Sequence, residues 1–207
     1  MNRNRIITIS REFGSGGREL GRRLAEAMQI AYYDQEIVQT LIGQTKQAEA
    51  YIRYMEQERP LPLLPITTAR TFGMPTNQMT AENLHFYMQE SKAIQQAAER
   101  SDCVIVGRCA DYVLRDMAPV RLFVYADMAY KMARCKAKGE DAGALTPADL
   151  RKKIQAVDKK RARYYLFYTN QAWGKKENYD LCINTSRYAS IKACVPGLAG
   201  LIGSLFA

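Results

Sequence analysis

The 207-residue chain has one histidine and one tryptophan, and these scarcities exclude whole classes of chemistry. With His85 alone, neither a zinc site built on paired histidines nor a Ser-His-Asp arrangement is supported. His85 follows Leu84 and precedes Phe86, the setting of a partly buried structural residue. No two cysteines form a CxxC pair; Cys103, Cys109, Cys135, Cys182 and Cys194 are scattered and odd in number. That pattern argues against a disulfide framework and for a reducing cytoplasm, with Cys103 and Cys182 as small core residues in strand-like runs. No apolar run is long enough to span a membrane, and no basic-then-apolar leader opens the chain. The stretch 195–207 is apolar but short and broken by glycine, so it reads as a docking helix or tail.

Apolar residues make up 47% of the chain, enough for the full core of one domain over 1–207. The net charge of +9 suits nucleic acid or a cleft for several phosphates. The basic residues recur in clusters and form no single stripe interleaved with aromatics, which favours the cleft and ranks nucleic acid last. Nothing in the pattern specifies an oligomeric state.

The most informative stretch is IITISREFGSGGRELG, residues 6–21. A β-branched run (Ile6, Ile7, Thr8, Ile9) leads into the turn Gly14-Ser15-Gly16-Gly17, and Leu20, Leu24 and Met28 follow at helical spacing. Strand, glycine turn and helix are the layout of a phosphate-binding loop: glycines admit phosphate oxygens to backbone N–H groups, and the helix N-terminus adds partial positive charge. The usual pattern, G-x-x-x-x-G-K-[ST], fits in neither register. With Gly17 as the second glycine, Glu12 stands at the first, Arg18 at the lysine and Glu19 at the magnesium-binding hydroxyl. With Gly16 there, Gly17 falls at the lysine and Arg18 at the hydroxyl. Arg18 is a candidate phosphate contact because a guanidinium pairs bidentately with phosphate. Glu19 is a candidate Mg²⁺ ligand that would also repel phosphate.

Further strands are expected at 30–34, ending in Asp34, at 103–106, ending in Gly107-Arg108, at 121–125, ending near Asp127, and at 179–184, ending in Asn184. Helices are expected at 81–100, with Leu84, Met88, Ile94 and Ala98 apolar, at 128–138, and from Pro147 towards Tyr168 with Thr146 as N-cap. A proline-rich middle region, holding Pro60, Pro62, Pro65 and Pro75, reads as an insertion. Near-continuous apolar strands alternating with helices predict an α/β protein with a parallel sheet covered on both faces. Ligands of such sheets bind at the carboxyl ends of the strands, where Arg11 to Arg18, Asp34, Arg108, Asp127 and Asn184 would converge.

Taken together, ITISREFGSGGRELGRRLAE, YYDQEIV, VIVGRCADYVLRD, VRLFVYAD and DKKRARYYLFYTNQAWGKKENYDLCINTS resemble the cytidylate kinase-like family of P-loop kinases. The resemblance covers most of the chain and includes its lysine-free loop. It implies a three-layer P-loop kinase fold with a five-stranded parallel sheet, a mostly helical monophosphate-binding insertion at about 43–80 and a basic lid at about 134–150. It implies ATP and Mg²⁺ as cofactors, with Gly14, Ser15, Gly16, Gly17, Arg18 and Glu19 around the phosphates and Glu19 near the metal. Asp34, Arg108 and Asp111 fall to the acceptor, Arg134 and Lys138 to the lid, and Arg18, Arg108, Arg161 and Arg163 to the transferring phosphoryl group. Asp158 would orient the last two arginines. One departure stands out: Cys109 replaces the aspartate of the family's GRD, and Asp111 is the candidate substitute. The expected activity is ATP-dependent phosphorylation of a nucleoside monophosphate, most of all CMP or dCMP. The alternatives are a kinase for another small acceptor and a nucleotide-binding regulator without turnover.

Overall fold

The computed structural model describes residues 4–34, 78–138 and 145–206. Its frame is a five-stranded parallel sheet of order β2-β3-β1-β4-β5. The strands are β1 (Ile6–Arg11), β2 (Ala31–Tyr33), β3 (Cys103–Val106), β4 (Val120–Tyr125) and β5 (Leu181–Asn184). The helices are α1 (Gly17–Met28), α2 (Gln78–Arg100), the short α3 (Ala110–Val113), α4 (Met128–Ala137), α5 (Pro147–Thr169) and α6 (Ile191–Leu205).

β1 lies at the centre, with Ile9 opposite Val106 of β3 and Leu122 of β4. Alternation along the strands divides the core between the two faces. Ile7, Ile9, Val104, Val106, Leu122 and Val124 pack against Leu20 and Leu24 of α1 and against α6. Ile6, Cys103 and Ile105 pack on the other face, against Ile94 and Ala98 of α2 and the residues around α3. The apolar C-terminal stretch is indeed a docking helix: Ile191, Cys194, Val195, Leu198 and Ile202 of α6 are buried in the α1 core. Ser190 caps it by accepting the Ala193 N–H at 3.2 Å. Thr146 caps α5 as its sequence requires, accepting the Asp149 N–H at 3.2 Å with Pro147 following.

Some expectations are corrected. Cys182 is exposed, because β5 is an edge strand, whereas Cys103, in the interior β3, is buried. All five cysteines are free thiols. Leu84 and Met88 are exposed, as is His85, while the buried face of α2 runs through Phe86, Glu90, Ala93, Ile94 and Ala97. A carboxylate inside that face hid its phase from an apolar-periodicity reading. The proposed insertion at 43–80 lies outside the described residues except for its last three positions, which open α2. Of the lid at 134–150, residues 139–144 lie outside them, and the flanks belong to α4 and α5. No described helix is long and apolar enough to cross a membrane.

Candidate active site

The loop from Glu12 to Gly16 joins β1 to α1 at the carboxyl edge of the sheet. Gly16 has φ +85°, a left-handed conformation that glycine adopts without Cβ strain, and it caps α1. The loop is braced by one internal hydrogen bond and tied from two sides. The Ser15 hydroxyl donates to the Glu12 carbonyl at 2.8 Å, and the Thr185 hydroxyl donates to the Ser15 carbonyl at 2.6 Å. Asp158 of α5 accepts the Phe13 N–H at 2.7 Å. Buried Lys131 of α4 then spans Glu12 and Asp158, its Nζ 3.0 Å from one carboxylate and 3.1 Å from the other. Burial alone would lower the Lys131 ammonium, but Glu12 and Asp158 outweigh it and hold the group above its ordinary value.

The loop forms one wall of a cavity of about 270 Å³, lined by Gly14, Gly16 and Gly17 and by Arg11, Arg18, Arg134, Lys138 and Arg161. A second cavity of about 740 Å³ adjoins it and shares Arg11 and Arg161. Its other walls include Arg108 and Cys109 after β3, Lys152, Lys153, Lys160 and Tyr164 of α5, and Trp173. Trp173 is anchored edge-on against Phe123, with ring centroids 5.3 Å apart.

Arg108 is aimed by an unusual backbone. Gly107, Arg108 and Cys109 have φ of +82°, +57° and +54°, three left-handed residues in succession. Each non-glycine residue there costs on the order of 1–3 kcal/mol and persists only where packing over-determines it. The packing here is Glu90 of α2, nearly inaccessible, whose carboxylate lies 3.2 Å from Arg108 Nε and accepts the Tyr164 hydroxyl at 3.1 Å. Burial pushes the Glu90 carboxyl up, opposed by Arg108 and by the Tyr164 bond. Glu90 was invisible as a site residue in the sequence. A glutamate at a buried phase of α2 is the signal that would have found it.

The remaining candidates divide. Arg18 lines the loop cavity, but its guanidinium is 2.8 Å from the buried carboxylate of Asp34, and its side chain is 56% exposed. Glu19 lines the same cavity and gives one oxygen to Arg23 at 2.9 Å and the other to Arg134. Those bonds hold its carboxyl below the usual range although burial pushes the other way. Arg134 and Lys138 both reach the loop cavity. Arg161 donates from Nη1 to the Arg11 carbonyl at 2.9 Å, with Asp158 at 3.8 Å. Arg163 is half-buried and lines neither cavity. Asp111 also lines neither: it is buried, and its carboxylate accepts the Tyr165 hydroxyl at 2.6 Å. The proposed replacement of the missing acceptor aspartate is therefore turned into the packing beneath α5.

The sheet order, the glycine loop between β1 and α1 and the cations gathered at the carboxyl ends of the strands together define a P-loop kinase fold. Within it the chain belongs to the cytidylate kinase-like family, whose model matches residues 6–187. Among solved structures, an uncharacterized protein from Eubacterium ventriosum ATCC 27560 is similar, with TM-score 0.69, 23% identity, and 97% of this chain and 99% of that one covered. Shikimate kinase from Acinetobacter baumannii, in complex with shikimate, is similar at TM-score 0.57 and 15% identity, covering 99% and 96%. A gluconokinase from Sinorhizobium meliloti 1021 is similar at TM-score 0.50 and 14% identity, covering 99% and 98%. At these identities the likeness is one of fold. A comparison with curated proteins finds no match.

Proposed function

We propose that this protein transfers the γ-phosphoryl group of ATP to a nucleoside monophosphate, CMP or dCMP before others. One observation carries the reading: two adjoining cavities, one walled by the glycine loop, meet at Arg11 and Arg161. Phosphoryl transfer needs that arrangement, with donor and acceptor in line and cations where charge spreads over the transferring group. Arg134 and Lys138 would screen the donor phosphates, and Arg108, braced by Glu90, would hold the acceptor's phosphate.

P-loop kinases generally use Mg²⁺ with ATP, and the donor set here is narrow. Among the described residues no group of three His, Cys, Asp or Glu side chains forms a metal cage. Both Glu19 oxygens are engaged by arginine, which disfavours its role as a ligand. Asp34 also lines the loop cavity and is itself held by Arg18, so an ion that arrives on the nucleotide, with Mg²⁺ keeping water and substrate phosphates, would gain this carboxylate only in exchange for that pair. The ion would neutralise charge on the β- and γ-phosphate oxygens.

The test is ADP release from ATP and Mg²⁺ with CMP against a control without acceptor. Acceptor-dependent ADP is expected; its absence with CMP, dCMP and the other nucleoside monophosphates would refute the reading.

Cys109 favours a second reading, a kinase for another small phosphorylated or hydroxyl-bearing acceptor. Its buried thiol is pushed well up by burial and by Asp111 and Glu90, so it stays neutral where the family's aspartate would be charged. The same two carboxylates make restoration costly. Cys109→Asp is expected to lower the unfolding free energy by about 2–4 kcal/mol without raising CMP turnover, read by urea denaturation and the ADP assay.

A further inference from the structure

The loop lysine of ordinary P-loops has no counterpart at Arg18, whose guanidinium is drawn to Asp34. Another cation lines the loop cavity. Arg11, the last residue of β1, runs its stem directly over Gly17, the first residue of α1. A Cβ on Gly17 would lie 2.5 Å from Arg11 Cβ and 3.0 Å from its Cγ. Its guanidinium then passes over Gly107, where a Cβ would overlap Nη1. Two glycines thus leave room for one arginine. The φ of Gly17 is not in the left-handed region, so at that position space rather than backbone conformation demands glycine.

The register explains the exchange. With Gly16 as the second glycine of G-x-x-x-x-G-K-[ST], Arg11 stands at the first glycine and Gly17 at the lysine. Relative to that pattern the cation and a glycine have changed places. A side chain at 17 and the arginine at 11 cannot both be present, because their first atoms collide.

The electrostatics agree. Among the described residues no carboxylate pairs with the Arg11 guanidinium, which lines both cavities. Burial, then Arg161 and Arg108, push it down to about 9, so it remains cationic at neutral pH. A desolvated guanidinium among three other arginines is costly until an anion arrives.

Resting on the phosphotransfer reading, we infer that Arg11 replaces the P-loop lysine, contacting the transferring phosphoryl group where the donor and acceptor cavities meet. It reaches that place from the end of β1 rather than from the start of α1, and glycine at position 17 lets it pass.

The experiment compares wild type, Arg11→Ala, Arg11→Gly and the exchange variant Arg11→Gly/Gly17→Lys. ATP and tripolyphosphate binding are measured by calorimetry, turnover by ADP release, and stability by thermal unfolding. Arg11→Ala is expected to weaken tripolyphosphate binding about 10-fold or more and turnover about 100-fold. Its melting temperature should be unchanged or raised, since removing one of several like charges relieves repulsion; an arginine with only a structural role would lower it. The exchange variant should regain at least about 10-fold in binding over Arg11→Gly, because the lysine side chain introduced in place of Gly17 enters the space that Arg11 has left.

Wild-type binding of tripolyphosphate by Arg11→Ala overturns the assignment alone. So does an exchange variant that folds and binds no better than Arg11→Gly. If the exchange variant does not fold, the binding and melting of Arg11→Ala decide. Failure of wild type to bind either ATP or tripolyphosphate overturns the nucleotide reading, and the assignment with it.

Discussion

Arg108→Ala is expected to cut turnover by about 10²- to 10³-fold and, near pH 8, to lower the unfolding free energy by about 3–5 kcal/mol. Both losses come from one geometry. Arg108 lines the larger cavity, so its removal takes a cation from the proposed acceptor phosphate. Its Nε also faces Glu90, and the two side chains are 8% and 1% exposed. Without the guanidinium, a carboxylate that cannot reach water is left with the Tyr164 hydroxyl. The sign of the pH dependence follows. Burial raises the Glu90 pKa in the folded state, and losing Arg108 removes the charge that opposes the rise. A carboxyl with a raised folded pKa contributes its stability fully below the unfolded value, about 4.3, and loses it as pH rises through the folded one. The stability defect of Arg108→Ala should therefore shrink between about pH 8 and pH 5. Adding Glu90→Gln should restore stability but not turnover, separating the two roles. Urea denaturation at several pH values and ADP release measure them. A single variant of wild-type stability would show that Glu90 does not depend on Arg108.

Lys131→Met is expected to be the most destabilising single change at the glycine loop, by about 3–5 kcal/mol. Methionine keeps the stem of the lysine and removes its charge. Glu12 and Asp158 would then face one another with their bridging ammonium gone. Asp158 also holds the Phe13 N–H, and Glu12 begins the loop, so the loop should loosen as stability falls. Weaker ATP binding should follow although Lys131 is outside the loop-cavity wall. The pKa of Lys131 is raised in the fold, so its contribution is complete below the unfolded lysine value, about 10.4, and is lost as pH rises through the folded one. On the alkaline side, the gap between wild type and Lys131→Met should thus close only in strongly alkaline buffer. Denaturant titrations at neutral and alkaline pH test this, and a loss below about 1 kcal/mol at neutral pH would rank the bridge with ordinary surface ion pairs.

These effects mark where the sequence ceased to be informative. Ile6 to Ile9 read as a buried strand because β-branched runs suit a two-sided parallel sheet, and Leu20 and Leu24 read as a core face because their spacing is helical. Arg108 was placed at the site by its position at a strand end and Arg161 by the family resemblance of the DKKRAR run, and both line a cavity. Arg18 was a natural substitute for the lysine in the linear pattern, yet Asp34 engages it. Asp111 looked available two residues past Cys109, yet one turn of α3 carries it under Tyr165.

The sequence by itself determined the α/β alternation, the glycine loop, the Thr146 cap of α5 and the family. The first three depend on residues within a few positions of one another, through period, propensity and local hydrogen bonds, and the family on the order of such motifs along most of the chain. Tertiary structure alone decided which charge meets which. Arg108 and Glu90, Lys131 and Glu12, and Arg11 and Gly107 are far apart in the chain and in contact in the fold. Coulombic and steric interactions depend on separation in space, and no periodicity along the chain encodes it.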